Sequence, residues 1–155
     1  MVQFRDVPVT DAAAVRILDD YFSVRAAAFP GGTYRPARPD PAVFTPPHGV
    51  FVVATTDDER VVGCGGIRSL AAEAPTVRFE VKHLFVDPNF RGAHIGRDLL
   101  DHLEQRARAW QATELVLDTH HTLTAAGALY DRAGFEPTEP YNDNSNATRW
   151  YRKQL

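Results

Sequence analysis

Three stretches of the chain carry apolar residues at the spacing of an amphipathic helix. The first covers about residues 11–28, with Thr10 suited to cap its N-terminus. The second steps by four, four, four and three residues and predicts a helix buried on one face, through Ile95, Leu99, Leu103, Ala107 and Trp110. A third, shorter helix is expected over Ala125–Ala133, closed by Gly134 just beyond its C-terminus.

Apolar runs between these stretches predict strands. The expected strands are Val2–Val7, Val50–Thr56, Val61–Leu70, Thr76–Asp87, Glu114–Thr119, Phe135–Thr138 and Thr148–Leu155. Asp57–Arg60 is a turn that makes a hairpin of the second and third strands. Residues 30–49 hold six of the eleven prolines and predict a long irregular loop, with one helical turn near Asp40–Phe44. Loops of this length are usually functional or mobile.

The resulting order is β-α-β-β-β-α-β-α-β-β, which indicates an α/β chain with a hairpin-rich middle. It differs from the regular alternation of a doubly wound nucleotide fold. A length of 155 residues suits one domain, and we expect that domain to cover residues 1–155.

Composition and charge narrow the function classes. A net charge of −3 does not favour a general nucleic-acid or anionic-membrane binder. No apolar run reaches the roughly 20 residues that span a bilayer, and the first residues lack a signal-peptide pattern. The single cysteine, Cys64, excludes an internal disulfide and is expected to be a buried structural thiol. These features together favour a cytoplasmic protein.

The loop Arg91–Gly96 lies between a predicted strand and the second helix, which is the layout of an anion site. Unpaired N–H groups and the positive end of the helix dipole can hold a phosphate there. A P-loop would need Lys and Ser or Thr after Gly96, where Arg97 and Asp98 stand. A dinucleotide fingerprint would need a third glycine and an earlier place in the chain. On the loop alone, a plain tight turn remains an equal alternative.

Two longer segments carry a resemblance to a known family. Residues 80–100, which include the loop RGAHIG, are similar to the central strand, pyrophosphate loop and helix of the GNAT superfamily of acyl-CoA-dependent N-acetyltransferases. Residues 125–135 resemble its second signature, a helix that carries a tyrosine and ends in Gly134-Phe135. The resemblance covers nearly the whole chain, and the two motifs occur in the family's order.

The resemblance implies a mixed, largely antiparallel sheet that is splayed at an acyl-CoA site. It implies that the backbone of Leu84, Phe85 and Val86 contacts the pantetheine arm of acetyl-CoA. The pyrophosphate is then expected on Arg91, Gly92, Ala93, His94, Ile95, Gly96 and Arg97. His94 stands where the family has a glycine. We expect it in the first helical turn, where a side chain costs little.

The resemblance further implies transfer of an acetyl group to an amine, with Tyr130 placed to stabilise the leaving thiolate. Without the resemblance, Tyr130 would be interpreted as a core aromatic. Glu80 is the candidate base, expected to act through water or after desolvation and to share one strand face with Lys82, Leu84 and Val86. The alternative, held equal, is a solvated or Lys82-paired carboxylate.

The acceptor pocket is expected between the 29–49 loop and the segment Tyr141–Asn144, with Tyr34, Arg35 and Arg38 binding a carboxylate and Asp143 an ammonium. No metal site is expected, because the adjacent His120 and His121 should point opposite ways on extended chain. The leading hypothesis is an N-acetyltransferase for a small or amino-acid-like amine, with a homodimer allowed. A protein or peptide N-acetyltransferase and a non-catalytic acyl-CoA sensor stay open as alternatives.

Overall fold

The apolar runs and amphipathic segments form seven strands and three helices in a computed structural model that describes residues 1–155. The strands are β1 (Val2–Asp6), β2 (Gly49–Thr56), β3 (Val61–Leu70), β4 (Arg78–Val86), β5 (Glu114–Thr119), β6 (Glu136–Pro137) and β7 (Arg149–Gln154). The helices are α1 (Ala12–Ala28), α2 (Ile95–Ala109) and α3 (Thr124–Arg132). All ten predicted elements are present, with ends that shift by a few residues.

The start of α1 differs from the prediction by one residue. Asp11, not Thr10, is the N-cap, because Asp11 has an extended backbone and its carboxylate accepts a hydrogen bond of 2.8 Å from the N–H of Ala13. At the end of α3, Gly134 adopts φ +89°, as expected for a glycine that closes a helix.

One seven-stranded sheet runs in the order β1-β2-β3-β4-β5-β7-β6. Only β4 and β5 pair in parallel, so the sheet is mixed and largely antiparallel, as predicted. One core cluster joins α2 and α3 to the sheet, and it contains Leu99, Leu103 and Tyr130. A second cluster joins α1 to the sheet, and it contains Ile17 and Phe22.

The parallel pair β4–β5 separates part-way along its length. Its register covers Arg78–Glu80 opposite Glu114–Val116 and goes no further. Beyond that point β4 continues to Val86 and β5 to Thr119. The two strands diverge, which confirms the predicted splay and leaves one edge of β4 unpaired from residue 81 onward.

A β-bulge interrupts β4 next to the splay. Cys64 lies opposite Phe85 and Gly66 opposite Lys82, so Gly65 alone faces both His83 and Leu84. His83 takes the left-handed conformation, with φ +56°. An extra residue of this kind reverses which face the following side chains occupy.

The bulge corrects one prediction about β4. Phe79 packs in the cluster with α2 and α3, whereas Phe85, at an even spacing from it, packs in the cluster with α1. Leu84 accordingly packs with the α2 and α3 cluster. The expectation that Glu80, Lys82, Leu84 and Val86 share a face is therefore wrong, because strict alternation does not continue through the bulge.

Candidate active site

A cavity of about 390 Å³ lies where β4 and β5 diverge. Its walls come from α1, β3, β4, the end of β5, α3 and the loops between these elements. The charged groups in its lining are Arg25, Arg38, Asp40, Arg68, Lys82 and Asp118. The cavity thus combines residues from across the chain at the place where β4 and β5 no longer pair.

Tyr130 lines this cavity from α3. Its ring is buried and packs against Phe135 and Tyr151, each with ring centroids 5.9 Å apart. Its hydroxyl has no hydrogen-bond partner in the protein, although it is not sealed in the core. Burial, and then the nearby Tyr21, raise the pKa of Tyr130 above its ordinary value of 10. The hydroxyl therefore remains protonated and is free to donate a hydrogen bond into the cavity.

Glu80 is fully buried at the last paired position of β4 and does not line the cavity. Arg68 Nε donates to Oε1 at 2.7 Å, and Tyr141 Oη donates to Oε2 at 2.6 Å. Lys82 Nζ lies 3.5 Å from the same Oε2. Both carboxylate oxygens are thus engaged, which favours the ion-paired alternative left open by the sequence.

Lys82 and Asp118 form an ion pair across the splay. Lys82 Nζ lies 3.0 and 3.2 Å from the two carboxylate oxygens, and Asn142 donates to Asp118 Oδ2 at 2.7 Å. Desolvation raises the pKa of Asp118, but the Lys82 charge and these hydrogen bonds outweigh it, so the pKa is lowered overall. The carboxylate stays ionised and ties the two strands together where their backbones no longer pair.

His83, the bulged residue, also lines the cavity. Its ring packs against Tyr21, Phe22 and Phe44, with centroids about 6 Å apart. Desolvation, followed by the positive charge of Lys82, lowers the pKa of His83 to about 3. The imidazole is therefore neutral at physiological pH. The sequence does not single out His83, because periodicity gives no sign of a bulge, although His is enriched among non-glycine residues in the left-handed region.

The loop between β4 and α2 is exposed and holds two left-handed residues. Gly92 has φ +90° and His94 has φ +59°. The expectation that His94 lies in the first helical turn is wrong, because it is the N-cap of α2 and the helix begins only at Ile95. A left-handed conformation costs a residue with a side chain about 1–2 kcal/mol.

The N-terminus of α2 leaves its first N–H groups unpaired. Asp98 N is the first to bond back into the helix, to His94 O at 3.0 Å, and no side chain caps the amides of Ile95, Gly96 and Arg97. A methyl group on Gly96 would lie 3.5 Å from Leu129 and 3.6 Å from Val86, which is ordinary contact. Gly96 therefore lies beside the end of β4 and α3, and the unpaired N–H groups of this helix start are available to an anion.

The two arginines of the loop differ in their contacts. Arg97 donates to Asp101 at 3.0 Å and to the carbonyl oxygen of Arg132 at 3.0 Å, so its guanidinium is already engaged. Arg91 is exposed and makes no ion pair. Of the two, only Arg91 is free to contact an incoming anion.

The free edge of β4 connects the cavity to this loop. Asp87 N donates to Val62 O at 2.9 Å, toward β3. Because neighbouring residues of a strand direct their N–H groups to opposite edges, the N–H of Val86 points into the splay. Leu84, Phe85 and Val86 thus lie on a strand segment whose edge toward β5 is unpaired.

The expected acceptor residues are only partly in the lining. Tyr34 and Arg38 line the cavity, but Arg38 is paired with Asp19. Arg35 and Asp143 do not contribute, and the lining instead includes Asn142, Asn144 and Asn146. Arg25 also lines the cavity from α1, although its position in the sequence does not single it out.

Other sequence features have structural explanations. The rings of His120 and His121 stack with centroids 4.5 Å apart, because the chain turns after β5 instead of continuing as extended chain. No three His, Cys, Asp or Glu side chains come together as a metal site. Cys64 is buried, burial raises its pKa, and its thiol donates to His83 O at 3.3 Å. None of the three helices has the length and apolar character needed to cross a membrane.

The chain is similar to curated acetyltransferases over part of its length. It is 34% identical over 101 residues to an uncharacterized N-acetyltransferase of Schizosaccharomyces pombe, covering 65% of this chain and 60% of that protein. It is 41% identical over 81 residues to an IAA acetyltransferase of Azospirillum brasilense, covering 52% of this chain and 51% of that protein. The matches therefore span about half to three-fifths of the length of these two relatives.

Solved structures share the fold over the whole chain. An acetyltransferase of the GNAT family from Staphylococcus aureus superposes with a TM-score of 0.83 at 20% identity, covering 100% of this chain and 99% of that one. Naa50 of Arabidopsis thaliana, solved with the bisubstrate analogue CoA-Ac-MVNAL, superposes with a TM-score of 0.69 at 20% identity, with 99% of each chain covered. The sequence itself matches the acetyltransferase (GNAT) family over residues 14–135, and the chain belongs to that family.

Proposed function

We propose that this protein is an acetyl-CoA-dependent N-acetyltransferase that acetylates the primary amine of a small or amino-acid-like acceptor by direct attack in a ternary complex. The observation that carries the proposal is the splay of β4 from β5, with Tyr130 on its wall and the uncapped N-terminus of α2 at its end. These parts lie in series along β4, so one extended ligand can contact all of them.

The loop supplies the binding site for the pyrophosphate of acetyl-CoA. The free amides of Ile95, Gly96 and Arg97 and the positive end of the α2 dipole favour an anion. Arg91 adds an exposed positive charge, while Gly92, Ala93 and His94 shape the approach. Beyond the loop, the backbone of Leu84, Phe85 and Val86 is proposed to hold the pantetheine arm as a strand holds its neighbour.

Within the cavity, Tyr130 is proposed to stabilise the leaving thiolate. The amine nitrogen forms a bond to the acetyl carbon, the carbon–sulfur bond breaks, and the amine proton leaves to solvent. A thiol has a pKa near 8.5, well below that of Tyr130, so complete proton transfer from the tyrosine is uphill. A hydrogen bond donated to the developing thiolate is the role that this hydroxyl can perform.

Glu80 is proposed to act by positioning its neighbours. It holds Arg68, Lys82 and Tyr141 at the point where the strands separate, and it is fully buried outside the cavity lining, so it does not take a proton from the amine directly. Any participation as a base then runs through water. His83, neutral and in the cavity, is placed to accept a hydrogen bond from the amine.

The cavity supports a small acceptor over a protein. Its volume of about 390 Å³ lies in the range of small-molecule sites. The groove expected for a peptide substrate would be open and acidic, whereas this lining holds four cationic side chains and two acidic ones. The related Naa50 structure contains a peptide-bearing analogue, so peptide acceptors belong in the test.

The test measures thiol release from acetyl-CoA with amino acids, amino-acid amides, diamines and peptides, with the product identified by mass. We expect turnover with small amines and little with peptides. A parallel measurement compares thermal unfolding with acetyl-CoA, CoA and ATP. A ligand at about 100 times its Kd stabilises by about 2.7 kcal/mol. Binding of acetyl-CoA without turnover of any amine would favour a non-catalytic acyl-CoA sensor and contradict the proposal.

A further inference from the structure

Arg25 enters the cavity from the last turn of α1. It is half-buried, and its guanidinium lies between two tyrosine rings, 6.0 Å from the centroid of Tyr21 and 5.3 Å from that of Tyr34. Its Nη1 donates to Tyr21 Oη and its Nη2 to the carbonyl oxygen of Asn146, both at 3.2 Å. These contacts fix the position of the side chain.

The other cationic side chains of the cavity each pair with a carboxylate. Arg38 pairs with Asp19, Arg68 with Glu80, and Lys82 with Asp118. Arg25 differs, because both of its hydrogen bonds go to neutral oxygens and it makes no ion pair. A guanidinium has five N–H donors in a fixed fork, so most of the donors of Arg25 remain unused.

A half-buried charge without a counter-ion is costly, and the two tyrosine faces offset only part of that cost. A planar carboxylate is the group that matches the free fork, through two parallel N–H···O bonds. Arg25 and Tyr130 line the same cavity, so a molecule with an anionic group at Arg25 can extend toward the thioester. The same lining includes Tyr21, which contacts Arg25, and His83, whose ring packs against Tyr21.

We propose, building on the function proposed above, that the acceptor carries a free carboxylate that Arg25 binds, so that the enzyme selects amino-acid-like amines. The amine of such a molecule reaches the acetyl group while its carboxylate neutralises Arg25. An amino-acid amide or a peptide N-terminus lacks the carboxylate near its amine and leaves the guanidinium without a counter-ion.

The experiment compares matched acceptors, each amino acid with its own amide, in the thiol-release assay. We expect kcat/KM to favour the acid by about 10- to 100-fold, the range of charged hydrogen bonds. In Arg25→Gln the KM for the acid should rise by at least about tenfold. The KM for the amide and the KM for acetyl-CoA should change little. Arg25→Lys keeps the charge without the fork and should recover only part of the preference.

Arg35→Gln is the matched control, because Arg35 is exposed and outside the cavity lining. The preference of this variant for the acid over the amide should equal that of the wild type. Equal turnover of acid and amide by the wild type would overturn the inference while leaving the acetyltransferase function intact. An equal loss for both acceptors in Arg25→Gln would also overturn it, because that result indicates a structural role. Absence of thiol release with every amine would overturn the proposed function as well.

Discussion

The loop at the start of α2 and the cavity in the splay lie next to each other along β4 but present different chemistry. The loop is one contiguous segment whose side chains are mostly exposed, and it offers backbone N–H groups. The cavity is built from α1, β3, β4, β5, α3 and loops, and it offers side chains, many of them held in ion pairs. A site that binds through its backbone tolerates substitution of side chains, whereas a site that binds through side chains does not.

This contrast accounts for His94. The family has a glycine at this position, but the imidazole of His94 is exposed and the N–H groups at the start of α2 remain free. In the cavity, by contrast, a single side chain can determine the rate of turnover. Changes to cavity side chains should therefore alter turnover, and changes to the loop should matter only where they obstruct the backbone.

The largest effect is expected for Tyr130→Phe. The variant keeps the buried ring against Phe135 and Tyr151 and loses only a hydroxyl that bonds to no protein group. We expect kcat to fall by about 100-fold, within the range of one positioned donor or acid, while the Kd of acetyl-CoA and the free energy of unfolding stay nearly unchanged.

Steady-state kinetics and thermal unfolding of the purified variant measure these quantities. Tyr151→Phe is a control, because its ring belongs to the same cluster but does not line the cavity. If Tyr130→Phe kept wild-type kcat with a verified acceptor, the thiolate role of Tyr130 would be wrong.

The next effect is a pH dependence of stability that comes from His83. Its pKa is about 3 in the folded protein, against about 6.5 for a free histidine, mainly because of desolvation and also because Lys82, Arg68 and Arg25 outweigh Asp118. Between these values the unfolded chain binds a proton that the folded protein does not. The contribution of the neutral His83 to the free energy of unfolding is therefore fully present above about pH 6.5. It is lost as the pH falls toward 3.

His83→Asn removes this titration and keeps a residue type that tolerates the left-handed conformation. Between pH 6.5 and 4.5, the free energy of unfolding should fall in both proteins, and the fall should be smaller in the variant by up to about 2 kcal/mol. Each pKa unit corresponds to about 1.4 kcal/mol. Urea unfolding at several pH values measures the difference. His48→Asn, at an exposed position, should follow the wild type. Parallel curves for His83→Asn and the wild type would contradict the buried neutral imidazole.

A smaller effect is expected in the loop for Gly96→Ala. The free protein has room for the methyl group, and alanine favours a helix by up to about 1 kcal/mol over glycine, so the variant should be at least as stable as the wild type. The methyl group would lie against Leu129 and Val86, beside the amide that is proposed to bind the pyrophosphate, and we expect the Kd of acetyl-CoA to rise about tenfold, or about 1.4 kcal/mol.

Gly127→Ala is its matched control in α3. A methyl group there lies 3.9 Å from the nearest atom, Tyr151 Oη, so the substitution tests the same change in a helix away from the loop. Its Kd for acetyl-CoA should equal that of the wild type. Unchanged binding in Gly96→Ala would show that the loop does not hold the ligand through a close backbone approach.

The sequence predicted what depends on local pattern. The periodic stripe of α2 is buried as expected, and the bounds of β3 and β5 are those read from the apolar runs. The strand–loop–helix order at Arg91–Gly96 was also visible, because an anion site of this type is contiguous. The splay of β4 from β5 was expected only through the family resemblance.

What the sequence did not predict arises from contacts between distant segments. A bulge adds one residue to β4 and leaves no periodic sign, so the face of Glu80 relative to Leu84 was assigned wrongly. In the sequence, Arg25 is an ordinary polar position of an amphipathic helix. Its place in the cavity depends on contacts with Tyr34 and Asn146, which lie outside that helix. The charges of Arg35 and Asp143 suit them to bind an acceptor, but charge alone does not decide which side chains line a cavity.

The smallest effect is expected for His94→Gly, which tests the tolerance of the loop directly. Glycine adopts the left-handed conformation without the cost that His94 bears, so the free energy of unfolding should rise by up to about 1 kcal/mol. Because the ligand is proposed to bind backbone amides, the Kd of acetyl-CoA should stay within about twofold. His94→Asn separates the effect of the backbone conformation from that of the imidazole. Asparagine tolerates the left-handed conformation but has no imidazole. Weaker binding in both variants would mean that the imidazole itself contacts the phosphate, and the loop would then resemble the cavity in depending on its side chains.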